Sequence, residues 1–309
     1  MKKICLLFIL TVSFFLLLSV SCKRQTDTDT NGISVTDAQG QTVIVKDTSR
    51  IVAVGTSITE TVYALGANSK LVGTDNSSHE YIAETKDLPT VGTFRALSAE
   101  GLLSLKPTLF ITTADAGPAE VLSQLKAAGV TVLTLKTNYS VEEVKNRVRT
   151  IAHALSLEAK GGEVTNNIDK EMADVTKLLQ QAKEKPKVLF CGRGPNAPNA
   201  TMSGKGTTIN EMIMLAGGVN PITEFEGFKP MTDEAVVTAS PDVILITEHA
   251  FERSGGVDGV LKFPGVGLTP AGKNKRIVPV SDMYFQGFGP GVGKAVRELA
   301  LKFHPEIKP

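Results

Sequence analysis

From Arg50 onward the chain alternates two hydrophobic rhythms. Compact β-branched and aliphatic runs at 51–54, 70–73, 108–111 and 130–135 predict buried strands. Between them, Thr59-Glu60 to Leu65-Gly66, the stretch opening at Ser98-Ala99-Glu100, and 119–128 before Gly129 carry the spacing and stop signals of helices. Strands alternating with helices predict a parallel sheet covered by helices. Ahead of this region, Val43-Ile44-Val45 follows an Ala38-Gln39-Gly40 turn and predicts a short edge strand.

The same grammar is written twice. Segment 96–111, ALSAEGLLSLKPTLFI, aligns without a gap to 230–245, PMTDEAVVTASPDVIL, so that Glu100 falls with Glu234 and Pro107 with Pro241. A looser echo joins TSITETVYALGA from Thr56 to TTINEMIMLAGG from Thr207. Between the copies, 141–154 predicts one helix. Another, over 163–185, carries Val164, Ile168, Met172, Val175 and Leu179 as a single apolar stripe before Pro186 stops it. Residues 187–191 then begin a new strand. The expectation is an α/β fold of two lobes joined by a single long α-helix.

Composition narrows the function. Lys+Arg number 33 against Asp+Glu 32 in 309 residues, which leaves no basic excess for a nucleic-acid partner. Lys2 and Lys3 precede an apolar run to Val20 and small residues before Cys22, the pattern of an export signal ending at a lipidated cysteine. Plain secretion and a retained anchor are the competing readings. Cleavage before Cys22 removes Cys5 and leaves Cys191 as the one free thiol, so no disulfide forms within a chain. The expected division is a signal peptide over 1–21, tether and edge strand over 22–48, and an N-terminal α/β lobe over 49–158. A bridging helix over 159–186 and a C-terminal α/β lobe over 187–309 complete it.

Enzyme signatures are missing. Gly192-Arg193-Gly194 follows a strand but runs into Pro195, where a dinucleotide fingerprint needs a helix. Ser203-Gly204-Lys205-Gly206-Thr207 has Gly where a phosphate loop places Ser or Thr. No G-x-S-x-G, H-E-x-x-H or cysteine pair occurs, so the chain is expected not to be an enzyme. Candidate chemistry lies in the loop 73–81 and in 88–95, beyond the carboxyl end of a parallel strand, where open α/β sheets hold ligands. Tyr81 offers a phenol suited to ferric iron, or is a lone surface tyrosine. Arg95 offers a guanidinium for that phenol or for a ligand carboxylate, and Phe94 a wall for an aromatic ring. Glu100 and Glu234 open equivalent helices; they steady the helix dipoles, or meet two basic sites on a two-fold symmetric partner.

Across 49–306 the motifs RIVAVGTSITETVYALG, LVGTD, LPTVGTFRALSAEGLLSLKPTLFI, SGKGTT, LAGGVN, GFKPMTDEAVVTASPDVIL and FPGVGLTPAGKNKRIVPV resemble, in order and spacing, the substrate-binding lipoproteins of bacterial ABC importers for metal chelates. Their haem-binding subgroup is the most similar. The resemblance implies two Rossmann-like lobes of the helical-backbone metal-receptor type, with haem as the transported ligand in the cleft and no intrinsic cofactor. It implies an ABC permease dimer with its ATPase subunits as partner, docked through Glu100 and Glu234, and a lipid anchor at Cys22 in the cell envelope or periplasm. Tyr81 matches the subgroup's axial tyrosine and Arg95 its Val-Gly-x-x-Arg arginine. Three positions depart: Ile82 replaces a proline, the approach from Asp75 is one residue longer, and Gly291 replaces an arginine. His79 is a rival or additional iron ligand. The alternatives are a cobalamin or ferric-siderophore receptor of the same class, an envelope haem chaperone or sensor without a permease, and an envelope enzyme on the same fold.

Overall fold

The computed structural model describes residues 32–192, 200–286 and 288–308. The expected signal, Cys22, residues 23–31 of the tether, and Arg193 to Pro198 lie outside the described residues. Strands β1 (Ile33–Thr36) and β2 (Thr42–Val45) form an antiparallel hairpin. Asp37 closes it by accepting the Gln39 and Gln41 amide hydrogens on Oδ1 at 2.9 and 2.8 Å. β2 is the predicted edge strand, and β1 is its partner.

The first large sheet contains β3 (Ile51–Ala53) and β4 (Leu71–Thr74); a small hairpin, β5 (Gly92–Thr93) and β6 (Ala96–Leu97), follows outside it. β7 (Leu109–Thr113) and β8 (Thr131–Leu135) complete the sheet in the order β4-β3-β7-β8, all parallel. All residues of β3 and β7 are buried, including Thr112 and Thr113 at the end of β7, as expected of central strands in a parallel sheet whose two faces are covered.

The second sheet has β9 (Val188–Gly192), β10 (Thr201–Ser203), β11 (Phe228–Pro230), β12 (Val243–Thr247) and β13 (Ile277–Val280) in the order β11-β10-β9-β12-β13. β9, β12 and β13 run parallel, while β10 pairs antiparallel with both β9 and β11.

The internal repeat survives at atomic detail. Ser98 caps helix Ala99–Ser104 by accepting from Gly101, and Thr232 caps helix Asp233–Ala239 by accepting from Ala235. Each helix is followed by a buried strand, β7 in one lobe and β12 in the other. The looser echo is visible in helices Thr56–Ala64 and Thr208–Leu215, whose Ile58 and Ile209 are both buried. The first starts at Thr56, ahead of the expected Thr59, because Gly55 at φ 99° turns the chain directly out of β3.

Helix Val141–Ala154 is followed, after Ser156 in a left-handed conformation, by the 22-residue helix Glu158–Leu179. The long helix begins before the expected Glu163 and ends before Lys185, since its apolar stripe stops at Leu179. Val164, Ile168 and Val175 are buried, and Met172 and Leu179 pack at the margin of the same core. That core runs through residues of both sheets, including Ile51, Leu133, Val188 and Leu245.

Candidate functional site

Parallel strands deliver their following loops to one end of a sheet. The residues after β3 (Gly55 to Ser57), β4 (Asp75, Ser77) and β8 (Thr137, Tyr139) and those ending and following β7 (Thr113, Asp115) line a cavity of about 410 Å³. Thr93, Phe94 and Arg95 from the β5–β6 turn and Arg147 from helix Val141–Ala154 add to the wall. Thr208 and Phe288 close it from the second lobe.

Arg147 anchors this arrangement. Its side chain is buried, with Nη1 donating to the Asn138 carbonyl at 3.2 Å and Nη2 to the Phe288 carbonyl at 2.6 Å. The Phe288 ring meets Tyr139 edge to face, centroids 6.2 Å apart. Three residues on, the Gly291 amide donates to Glu60 Oε1 at 2.7 Å. Burial pushes the Glu60 carboxyl up to about 7, against the opposing pull of that amide and the positive charges of Lys294 and Arg147. The chain from Phe288 to Gly291 is thus gripped by two polar side chains of the first lobe.

Asp75 is fully buried and ties β4 to the start of helix Thr56–Ala64. Its Oδ1 accepts the Gly55 amide at 2.9 Å and the Ser78 hydroxyl at 2.5 Å. Asp115 accepts the Thr113 and Thr137 hydroxyls on Oδ1 at 2.9 and 2.7 Å, and Arg95 Nη2 lies 3.8 Å from its Oδ2.

Of the residues expected from the sequence, Phe94 and Arg95 line the cavity. Tyr81 is not among its lining residues. It ends a short helix, Asn76–Tyr81, where the sequence predicted a loop. The local reason is a turn of backbone bonds, His79 amide to Asp75 carbonyl and Ile82 amide to Ser78 carbonyl, both near 3 Å. Burial pushes the Tyr81 phenol up to about 12, reinforced by Asp282 of the second lobe and by Glu80. Arg95 is not among the charges acting on it; the guanidinium acts instead on Tyr139, where burial and Asp115 raise the phenol's pKa and Arg95 and Arg147 oppose them.

His79 Nδ1 sits 3.2 Å from the Thr85 carbonyl, to which it donates, so that Nε2 is the ring nitrogen not used in this contact. Glu100 and Glu234 are exposed in the first turns of their helices. Cys191 is wholly buried, and burial raises its thiol pKa, so it is a core residue.

Tyr139, Arg147 and Asp115 were not anticipated. Arg147 left a trace: it falls within the stripe Val144, Val148, Ile151, where an unpaired charge has no place. Tyr139 and Asp115 sit just beyond parallel strands, a position that marks them only once the sheet order is known.

Residues 51–282 match the periplasmic binding protein family. The uncharacterized ABC transporter substrate-binding lipoprotein YvrC of Bacillus subtilis (strain 168) is 30% identical over 288 residues, covering 92% of this chain and 89% of that protein. A vitamin B12-binding protein of Vibrio parahaemolyticus is 25% identical over 207 residues, 67% of this chain and 73% of its own. Among solved structures, the apo form of the periplasmic heme-binding protein RhuT from Roseiflexus sp. RS-1 superposes with a TM-score of 0.79 at 38% identity. It covers 84% of this chain and 99% of that one. With two sheets, a long connecting helix and a cavity between the lobes, the chain belongs to the periplasmic binding protein family.

Proposed function

We propose that this chain captures haem in the inter-lobe cleft and delivers it to the permease of an ABC importer. The observation that carries the reading is the 38% identity to a haem-binding structure spanning nearly all of that protein. The cleft suits such a ligand: Phe94, Tyr139 and Phe288 offer aromatic faces to a macrocycle, and Arg95 offers a guanidinium to a propionate.

Tyr81 is assigned as the axial ligand. The field of Asp282 from the second lobe reaches its phenol, which supports a position facing the gap between lobes. With a pKa near 12 the phenol is neutral until ferric iron displaces its proton. His79, through Nε2, is the alternative donor. Glu100 and Glu234 are the docking carboxylates, and Cys22 carries the lipid that holds the protein in the cell envelope.

Titration of the purified protein with hemin is expected to produce a Soret band, and Tyr81→Phe to weaken binding and shift that band. An unchanged spectrum and affinity in Tyr81→Phe would move the assignment to His79. Charge reversal at Glu100 and Glu234 is expected to abolish uptake while leaving hemin binding intact; unaffected uptake would overturn the docking role of these two carboxylates and favour a chaperone without a permease. The vitamin B12-binding relative supports one second reading, a cobalamin receptor. It would be recognised by cyanocobalamin binding without any hemin spectrum.

A further inference from the structure

Two opposite charges in the cleft are held to very different degrees. Asp115 accepts two hydroxyls, at 2.9 and 2.7 Å, from Thr113 at the end of β7 and from Thr137 just beyond β8. Those strands are neighbours in a buried parallel sheet, so the carboxylate is fixed by the fold itself. Arg95 has a side chain that is 80% exposed and approaches Asp115 only to 3.8 Å, beyond hydrogen-bond range. An exposed pair of this kind contributes little to stability.

The backbone beneath Arg95 is nevertheless secured. The Gly117 amide donates to the Phe94 carbonyl at 3.1 Å, and the Leu97 amide to the Gly117 carbonyl at 3.0 Å. Arg95 can therefore change partner by rotating its side chain, without loop movement. The other guanidinium of the cleft, Arg147, is buried and committed to two carbonyls.

We propose that Arg95 and Asp115 form a counter-ion exchange, in which fixed Asp115 holds Arg95 until a ligand carboxylate takes it. Asp115 thereby becomes a specificity-determining residue that limits how tightly the cleft holds a carboxylate-bearing ligand. A ligand carboxylate must displace Asp115 and then lie near its charge, so affinity is capped at a level from which the cargo can still be released. The proposal rests on the haem reading, since haem brings two propionates.

The test compares affinities for hemin and for hemin dimethyl ester in the wild type, Asp115→Asn, Arg95→Met and the double variant, with thermal melts to verify folding. Asp115→Asn keeps an Oδ1 acceptor for both threonines, and Asp115→Ser replaces it should Asn fail to fold. Asp115→Asn is expected to bind hemin about tenfold tighter and the ester unchanged, with the gain falling below about threefold in the Arg95→Met background. Unchanged or weaker hemin binding, equal tightening for the ester, or an undiminished gain without Arg95 would overturn the exchange. A wild type that binds neither macrocycle would instead overturn the haem reading. Cyanocobalamin and its monocarboxylate then replace the two probes, and tightening restricted to the monocarboxylate is required.

Discussion

Arg147 shows how one residue joins fold and site. It occupies a core-facing position on helix Val141–Ala154, yet it is accommodated because its guanidinium satisfies two carbonyls that have no other side-chain donor among the hydrogen bonds described. One of these, on Phe288, belongs to the opposite lobe and carries the ring that packs on Tyr139. Arg147→Met keeps much of the buried stem but strands both acceptors, which costs about 1 to 3 kcal/mol for each acceptor left dry. We expect a lowered melting temperature and, because Phe288 loses its tether, faster ligand dissociation. Equal losses in Arg147→Met and Arg147→Lys would point to a packing role alone, since Lys retains a donor.

At the scale of elements, the long helix is joined to its neighbours by two close approaches. A Cβ at Gly161 would come within 2.6 Å of Ala152 Cβ, and one at Gly293 within 2.4 Å of Glu171 Cβ. The first seats helix Glu158–Leu179 on Val141–Ala154, the second on helix Val292–Phe303. Alanine raises helix propensity at such positions but must force the helices apart, and overpacking of this kind costs about 1 to 3 kcal/mol. Gly161→Ala and Gly293→Ala are therefore expected to lower the denaturation midpoint, and a stabilised variant at either site would contradict the close packing.

These contacts also separate what the sequence could disclose from what it could not. Helix Val141–Ala154 was legible at both ends because Ser140 caps it and its stripe is regular. The start of the long helix was not, because Leu157 supplies no side-chain cap, and its end was obscured by helix-forming residues continuing to Pro186. β10 and β11 are three residues each, and β11 is exposed throughout, so neither carries a hydrophobic rhythm. The repeat exposed Glu100 and Glu234 from the sequence, and the strand order was needed to find Tyr139 and Asp115.

At the scale of the whole molecule, Glu60 is expected to make the stability of the joint between lobes depend on pH. Its carboxyl, on a first-lobe helix, accepts the Gly291 amide ahead of helix Val292–Phe303, and burial lifts its pKa from 4.5 to about 7. The folded chain therefore binds this proton more tightly than the unfolded chain does. The resulting stabilisation is fully present below about pH 4.5 and is lost as pH rises through 7. Glu60→Gln retains Oε1 as the acceptor for Gly291 while removing the charge that burial disfavours. We expect this variant to melt higher than the wild type at pH 8, by on the order of 2 to 3 kcal/mol in unfolding free energy. Below pH 4.5, where both side chains are neutral, the difference should largely vanish. Parallel stability curves across pH 4 to 8 would show that Glu60 ionises in the folded protein at its ordinary pKa, and that the inter-lobe joint is not the source of any pH dependence.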